Sequence, residues 1–432
     1  IGKDSLESND GISKKHTRFL LEEDNGTKEL LFSGSSVVSN AEGYELSDTS
    51  CGKISYWNGY LKPVFADITS DGVEEIIFYS AGNPTKILAY YENGSSVEGW
   101  PADVEGVDLP GGNIGSPTVT DLDGDGDVEI IVNGRGSLYI FSSDGELVRK
   151  LPAFVAGNFN TGVLAYDIDG EGGSEIIRKI QSPGWGGESL VVMDQYGRYY
   201  PGWPREIYDY HYDDLHSYSC AYLSRESSPS LADLDGDGTY EIVMVNMRNH
   251  FDEGFEPGKR EGWSCKSRVH AFNLDGSYVE GYPIDLPSKT DYGAVAADLD
   301  NDGDDELIVK TNSEEHSFPV FIINGSEIEN IGWKDGDEYL YDRDIDYIST
   351  SDLERDGENE IIVVGDNTYI LDSQGNLKNM TNYNHGLGII ADVGESISKD
   401  IMTLNLNGDY SALHFIDNET RDSEDPYLIL NR

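Results

Sequence analysis

The sequence predicts an all-β fold, a seven-bladed β-propeller with four-stranded antiparallel blades. Three observations point there. A nine-residue acidic loop, Asp-x-Asp-x-Asp-Gly-x-x-Glu in its fullest form, recurs along the chain. Short apolar runs of strand length flank every copy, and no amphipathic helix interrupts the series. Eight blades are the alternative.

The loops start at Asp67, Asp121, Asp167, Asp233, Asp298, Asp352 and Asp392, with successive starts 54, 46, 66, 65, 54 and 40 residues apart. Such intervals suit one four-stranded blade each. Before a loop lies a short run of small or β-branched residues, such as Ser116-Pro-Thr-Val-Thr120 or Gly293-Ala-Val-Ala-Ala297. After it come two consecutive apolar residues in all seven copies: Ile76-Ile77, Ile130-Ile131, Ile176-Ile177, Ile242-Val243, Leu307-Ile308, Ile361-Ile362 and Ile401-Met402. Further on sit a second apolar run, a Gly-containing turn (Asp144-Gly145, Asp275-Gly276, Asn324-Gly325, Gln374-Gly375) and another strand. Several of these strands end in Gly-Trp-Pro or Gly-Tyr-Pro, at Gly99, Gly202 and Gly281.

A four-stranded sheet with two apolar faces cannot bury both alone, so blades must stack and the ring must close. The run from Arg18 to Phe32 reads as a hairpin across Asn25-Gly26. It is expected to close the ring by completing the last blade beside Ser411-Ala-Leu-His-Phe-Ile416; a loop-less eighth blade from residues 16–60 is the competing use. The organisation is then an N-terminal segment, 1–60, and a propeller over 61–432, in a single domain.

The 432 residues carry 81 Asp plus Glu against 30 Lys plus Arg, a formal net charge of −51. Such a surface repels polyanions, which excludes nucleic acid and anionic membranes as partners. A hydrophobic fraction of 38% with 11% aromatics is too high for a disordered acidic tail, so a folded core is expected. No run of 18 apolar residues occurs, hence no membrane-spanning helix, and the residues from Ile1 onward lack the basic-then-apolar pattern of a signal peptide. The three cysteines, Cys51, Cys220 and Cys265, permit at most one bridge and have no CxxC spacing.

Counted from the first Asp, loop positions 1, 3, 5 and 9 offer side-chain oxygens and position 7 offers its backbone carbonyl. The sets are Asp67, Thr69, Asp71, Val73 and Glu75; Asp121, Asp123, Asp125, Asp127 and Glu129; and Asp167, Asp169, Glu171, Gly173 and Glu175. The other three are Asp233, Asp235, Asp237, Thr239 and Glu241; Asp298, Asp300, Asp302, Asp304 and Glu306; and Asp352, Glu354, Asp356, Glu358 and Glu360. Many hard oxygens around one loop suit Ca²⁺ better than Mg²⁺, which dehydrates reluctantly and takes fewer protein ligands. Up to six calcium ions are expected. Position 6 is Gly in these six copies, where the chain must turn sharply with a positive φ, whereas the seventh has Ile397 and should bind none. The last acid stands at position 9, not 12, and strands flank the loop, so it is no EF-hand.

In these loops the chain resembles the FG-GAP or VCBS-type propeller repeats, as in the integrin α-chain head and many secreted microbial proteins. The resemblance covers roughly residues 60–416 and rests on the six Asp-x-Asp-x-Asp-Gly-like loops. It implies that each calcium loop joins the first and second strands of a blade on the lower face. The literal Phe-Gly…Gly-Ala-Pro phrase is not intact: Lys62-Pro63, Ser116-Pro117, Ser228-Pro229 and Gly293-Ala294 occupy its place.

With metal loops on one face, variation is expected on the other. The two longest intervals bracket the fourth loop and read as insertions there, over residues 202–228 and 246–270. With the Gly-rich loop around Trp185, they supply candidate ligand-binding residues Trp185, Arg205, Tyr210, His211, His216, Arg248, His250 and Trp263. Three readings compete for this patch. Aromatic faces could stack on sugar rings while Arg and His pair with carboxylates or hydroxyls, making a binding or adhesion module for a glycan or cell-surface protein. A Tyr or His could abstract the proton α to a uronate carboxylate, as in a polysaccharide lyase; rhamnogalacturonan lyases resemble this repeat type. Or the long loops merely pack a small core of their own, pinned by Cys220 and Cys265. No Gly-x-Ser-x-Gly, His-Glu-x-x-His or phosphate-cradling loop is present, and the His211/His216 spacing matches no metal-site template, so no catalytic residue is assigned.

Sites of modest affinity fill only at millimolar calcium, which places the protein outside the cell, secreted or on its surface. Five N-glycosylation triplets, beginning at Asn25, Asn93, Asn324, Asn379 and Asn418, would matter only there. Six divalent ions would still offset only twelve of the 51 net negative charges. With 16 Lys, the remainder points to a surface adapted to high salt, a halophilic origin.

Overall fold

In the computed structural model the described residues are 16–23, 26–33, 64–80, 85–91, 95–104, 117–134, 137–152, 162–181, 188–208, 227–251, 263–290, 293–311, 320–331, 334–335, 338–339, 347–353, 356–364, 368–381, 387–391, 400–404, 410–416 and 428–431. Among them there is no helix, as short apolar runs bounded by turn residues lead one to expect. Seven four-stranded antiparallel sheets follow one another, each with its strands side by side in chain order. The first comprises Val64–Ala66, Glu75–Ser80, Thr85–Tyr90 and Ala102–Val104. The second is Thr118–Thr120, Glu129–Gly134, Ser137–Ser142 and Leu147–Pro152, and the third Leu164–Tyr166, Glu175–Gln181, Glu188–Met193 and Arg205–Tyr208. The fourth is Ser230–Ala232, Glu241–Phe251, Trp263–Phe272 and Ile284–Asp285, and the fifth Val295–Ala297, Glu306–Lys310, Val320–Asn324 and Glu327–Asn330. The sixth is Tyr347–Ser351, Glu360–Val364, Thr368–Leu371 and Leu377–Thr381, and the seventh Leu387–Ala391, Asp400–Leu404, Tyr410–Ile416 and Leu428–Asn431.

The chain divides into two compact units. One unit, Tyr56–Ala89 with Val97–Gly332, holds the first five sheets apart from Tyr90. The other, Ile1–Ser55, Tyr90–Ser96 and Trp333–Arg432, holds the last two and two small hairpins, His16–Glu23 with Gly26–Ser33 and Lys334–Asp335 with Glu338–Tyr339.

One register runs through all seven sheets. The residue before the acidic loop pairs with the loop's ninth residue: Ala66 with Glu75, Thr120 with Glu129, Tyr166 with Glu175, Ala232 with Glu241, Ala297 with Glu306, Ser351 with Glu360 and Ala391 with Asp400. The seventh sheet keeps this register although its loop has lost most of its acids. The loop itself, 392–399, lies outside the described residues.

The apolar doublet after each loop has a simple cause. Successive strand residues point to opposite faces, so two adjacent buried residues mean a sheet covered on both sides. In the five-sheet unit, Ile131 of the second sheet and Ile176 of the third share one core. Ile177 of the third and Ile242 of the fourth share the next, and Val243 of the fourth and Leu307 of the fifth the one after. All six are fully buried. Each sheet thus offers the first residue of its doublet to the sheet before and the second to the sheet after, which is how propeller blades stack. Burying one such side chain contributes about 2 kcal/mol.

The Gly-Trp-Pro and Gly-Tyr-Pro triplets differ from expectation: they precede the fourth strand instead of ending it. Proline has no N–H for a ladder, and these corners pack on the neighbouring sheet. Trp100 Nε1 donates to the Ser143 carbonyl at 2.9 Å, and Trp203 Nε1 to the Leu274 carbonyl at 2.7 Å. Gly99 and Gly202 lie so close to the same turns that a Cβ would stand 1.8 Å from the Asp144 carbonyl oxygen and 1.9 Å from that of Asp275.

The hairpin over Asn25-Gly26 forms, and its first strand lies against the last strand of the seventh sheet. It does not pair beside Ser411–Ile416. That strand takes Leu428–Asn431 as its hydrogen-bonded neighbour, so the seventh sheet draws all four strands from the C-terminal region. In the segment 16–60 the described residues form only this hairpin.

Replacing Gly202 by Ala should destabilise the protein by about 3 kcal/mol, because both the contact and a φ of +91° oppose a Cβ. Trp203→Phe, which loses the indole hydrogen bond and part of a buried ring, should cost about 2 kcal/mol. Urea unfolding of both variants measures the difference, and equal losses would mean that close approach is not the controlling contact.

Candidate metal centres

Each acidic loop closes on itself in the same way. The backbone N–H of its second residue donates to Oε2 of the ninth-position glutamate: Ile68 to Glu75, Leu122 to Glu129, Ile168 to Glu175, Leu234 to Glu241, Leu299 to Glu306 and Leu353 to Glu360, all at 2.8–3.0 Å. Inside the loop, the N–H of the sixth-position glycine donates to Oδ2 of the first aspartate in five copies, at Gly72, Gly126, Gly172, Gly238 and Gly357. The N–H of position 7 donates to Oδ1 of position 5 in five copies, at Val73, Asp127, Thr239, Asp304 and Glu358. The third loop is the exception, with Glu171 N–H on Asp169 instead.

Position 6 has φ between 85° and 103° in all six copies, as the glycine there requires. Position 4 also has positive φ, a feature the sequence reading missed: Ser70, Gly124, Gly170, Gly236 and Asn301. Its signal was the recurrent Gly, Asn or Ser between the first two acids, residue types that tolerate this conformation.

This folding gathers oxygens. One carboxylate oxygen from each of Asp67, Asp71 and Glu75 lies within 4.8 Å of the others, and the same holds for Asp121, Asp123 and Glu129; Asp167, Asp169 and Glu175; Asp233, Asp235 and Glu241; and Asp298, Asp300 and Asp302. Thr69 Oγ1 reaches Glu75 Oε1 at 3.2 Å, and Glu306 turns its Oε1 to Asn324 Nδ2 at 3.0 Å. Glu354 lies outside the described residues. All-oxygen sets with three carboxylates so close fit a hard divalent cation. Asp167 Oδ1 is buried with no hydrogen-bond donor, a lone pair that a cation would satisfy. The crowding also shows in the acids' proton affinity. Burial first, then the charges of the loop aspartates, push Glu241 and Glu306 up to about 7, with hydrogen bonds from Leu234 and Leu299 opposing. Glu129 and Glu175 are raised as well, mainly by burial.

Within the five-sheet unit, adjacent loops are tied through position 8. Ser174 Oγ donates to the Asp121 carbonyl at 2.9 Å. Asp305 N–H donates to the Asp233 carbonyl at 2.6 Å while its Oδ2 accepts from Asp233 N–H at 2.9 Å. Between the third and fourth loops the contact is aromatic, Tyr166 edge-on to Tyr240 with ring centroids 5.5 Å apart.

The ligand patch is placed differently. Trp185, Tyr210, His211 and His216 lie outside the described residues. Arg248, His250 and Trp263 do not sit on a loop: the second insertion is a ribbon of two long strands, 11 and 10 residues, pairing Arg248 with Lys266, His250 with Ser264 and Phe251 with Trp263. Its alternating Val, Met, Arg, His and Ser residues suit a strand pair. Arg205 stands at the metal-loop end of its sheet, against Gly276 of the next sheet's turn. Arg178 is 3% exposed on the face that carries Ile176 and Ile180, and burial pulls it down to about 10. Arg268 is paired with Asp285 at 2.6 Å. His270 is buried, bonded to Tyr278 Oη at 2.9 Å and Asn246 Oδ1 at 3.0 Å. Arg268 and His270 are thus engaged within their own sheet, while Arg178 and Arg205 each carry a buried Nε with no hydrogen-bond partner. Cys265 is disulfide-bonded, and its partner lies outside the described residues.

The class defined by this fold and these sites is a chain of successive four-stranded sheets carrying acidic, cation-suited loops at one end. No family model matches the chain, and no curated protein does. Among solved structures it is similar to BBS1N in complex with ARL6DN (12% identity, 81% of this chain and 89% of that one, TM-score 0.45). It is similar also to the rhamnogalacturonan lyase YesW (14%, 91% and 73%, TM-score 0.44) and to the V. cholerae biofilm matrix protein Bap1 (13%, 81% and 85%, TM-score 0.38).

The raised glutamates set a pH dependence. A carboxyl whose pKa is higher folded than unfolded destabilises the fold as pH rises from its ordinary 4.5 through its folded value. Metal-free protein should therefore lose thermal stability between about pH 4.5 and 7, and saturating divalent cation should abolish the loss by replacing the protons. Melting curves across that range, with chelator and with cation, check this; a metal-free melting temperature that climbs with pH contradicts it.

Proposed function

We propose that the chain is a calcium-stabilised β-propeller of the FG-GAP/VCBS kind, displayed outside the cell, that binds a glycan or a cell-surface protein. Its seven sheets are the blades. The observation that carries this reading is the identical closure of six acidic loops by their ninth-position glutamates, at one register and at one end of each sheet. All-oxygen loops with several carboxylates favour Ca²⁺ over Mg²⁺, and sites of this kind fill at extracellular calcium. Metal loops and the turns between third and fourth strands share one end of each sheet. In this reading a partner is recognised at the opposite ends of the sheets, away from the metal loops. The net charge of −51 keeps nucleic acid off, and the part that calcium does not offset supports a high-salt habitat.

Chelation should lower the melting temperature, since each ion that binds only the folded state at 100 times its Kd adds about 2.7 kcal/mol. Calcium should restore it where equal magnesium does not; no change after verified metal removal would refute the calcium reading. Dilution from high to low salt at constant calcium should lower the melting temperature as well. For the partner, a glycan array read beside an absorbance assay on uronate-containing polysaccharides decides between binding and turnover. Saturable binding without product supports the module, and steady release of unsaturated product at catalytic protein concentration replaces it with a lyase.

A further inference from the structure

The six loops differ in what holds the second oxygen of the ninth-position glutamate. In the sixth sheet Lys378 Nζ lies 2.7 Å from Glu360 Oε1, while Leu353 N–H occupies Oε2 at 2.8 Å. Glu360 is 3% exposed at its side chain, so this ion pair is shielded from water on the carboxylate side. Lys378 reaches it from the start of the fourth strand, six residues beyond Asp372, which opens the turn between third and fourth strands. The other turns closed by the same backbone bonds start at Ser142, Asp194 and Asn273. Six residues beyond each stand Val148, Tyr200 and Val279. The two valines carry no polar group. Tyr200 is neutral, its single O–H shared between Glu175 Oε1 at 2.6 Å and Asp169 Oδ2 at 3.0 Å. Among these four equivalent places, only the sixth sheet's puts a full positive charge on the loop's glutamate.

We propose that the sixth loop carries its own cation: the Lys378 ammonium takes the charge-balancing role beside Glu360 that a divalent ion takes in the other five loops. An ammonium 2.7 Å from a buried carboxylate satisfies the oxygen a metal would use and opposes a second cation at the same spot. The sixth loop is then closed without metal, and the chain binds five ions, not six. This rests on the calcium reading above.

The test counts ions. Metal-stripped protein is titrated with calcium by calorimetry, and bound calcium is measured after equilibrium dialysis, for the native chain, Lys378→Met and Lys378→Arg. The expected result is five ions for the native chain and for Lys378→Arg, and six for Lys378→Met, which keeps the length of the stem and removes the charge. Six ions in the native chain, or five in Lys378→Met with its β-sheet circular dichroism intact, overturns the proposal. If Lys378→Met fails to fold without metal but folds with calcium, the lost charge has been replaced by an ion, which supports it. If it folds under neither condition, the native chain and Lys378→Arg decide, since five ions in both sustains the proposal and six in either overturns it. Zero ions in the native chain overturns the calcium reading itself, an outcome distinct from all of these.

Discussion

Two-sided burial is the constraint on which the five-sheet unit depends. A sheet whose second strand carries Ile176 and Ile177, each fully buried but in different cores, is stable only between two others. The same doublet is what makes the loop before it regular. Once Ile176 and Ile177 are fixed against the second and fourth sheets, the residue before them, Glu175, has nowhere to stand but the end of the strand, opposite Tyr166. Its carboxylate then meets the N–H of Ile168, and the eight residues between the two strands have their two ends clamped. The metal geometry is thus a by-product of core packing: the doublets set the strand register, the register sets the glutamate, and the glutamate closes the loop.

This order of causes explains why the seventh sheet survives the loss of its acids. Ala391 still pairs with Asp400, and Ile401 and Met402 still follow. A loop whose register is dictated by the strands can drift in sequence without moving them. Loops whose neighbours bind through position 8 have less freedom. Asp305 both donates to and accepts from the backbone of Asp233, so the fifth loop helps hold the first aspartate of the fourth. Ser174 does the same for Asp121 with a hydroxyl. In the five-sheet unit the acidic loops are therefore a connected layer rather than separate turns.

What was legible in the sequence follows the same division. The sheets and loops were, because periodic apolar residues and a repeated Asp/Gly pattern are local signals with one physical reading each. The left-handed fourth position was legible too, in Ser70, Gly124, Gly170, Gly236 and Asn301, but only to a reader asking about φ at every turn residue. The fate of Arg205, Arg178, Arg268 and His270 was not. Clustering in sequence counts cations without saying which way strands point them, and the alternation of a strand sends neighbours to opposite faces. Arg178 was destined for a sheet interface as soon as Ile176 and Ile180 were, yet nothing in its own identity says so. The insertion over residues 246–270 reads as a loop in sequence because polar residues such as Asn246, Arg248, Lys266 and Arg268 interrupt its apolar pattern, whereas in the structure the strands Glu241–Phe251 and Trp263–Phe272 pair through it.

Charge gives the last step. A protein of net charge −51 must disperse its acids or pair them. Its described acids stand both singly on the surface and grouped in the loops, and the two settings differ in what can relieve their repulsion. The grouped acids are the costlier set, because burial has already raised Glu129, Glu175, Glu241 and Glu306 and each shares its loop with aspartates that repel it. A cation fixed among them would remove both penalties at one point, which dissolved salt does poorly for carboxylates less than 5 Å apart and partly buried, where mobile ions screen much less than at the open surface. Dispersed and grouped acids therefore pose different problems: screening eases the first, whereas the second, forced together by core packing, are suited to a cation held in place.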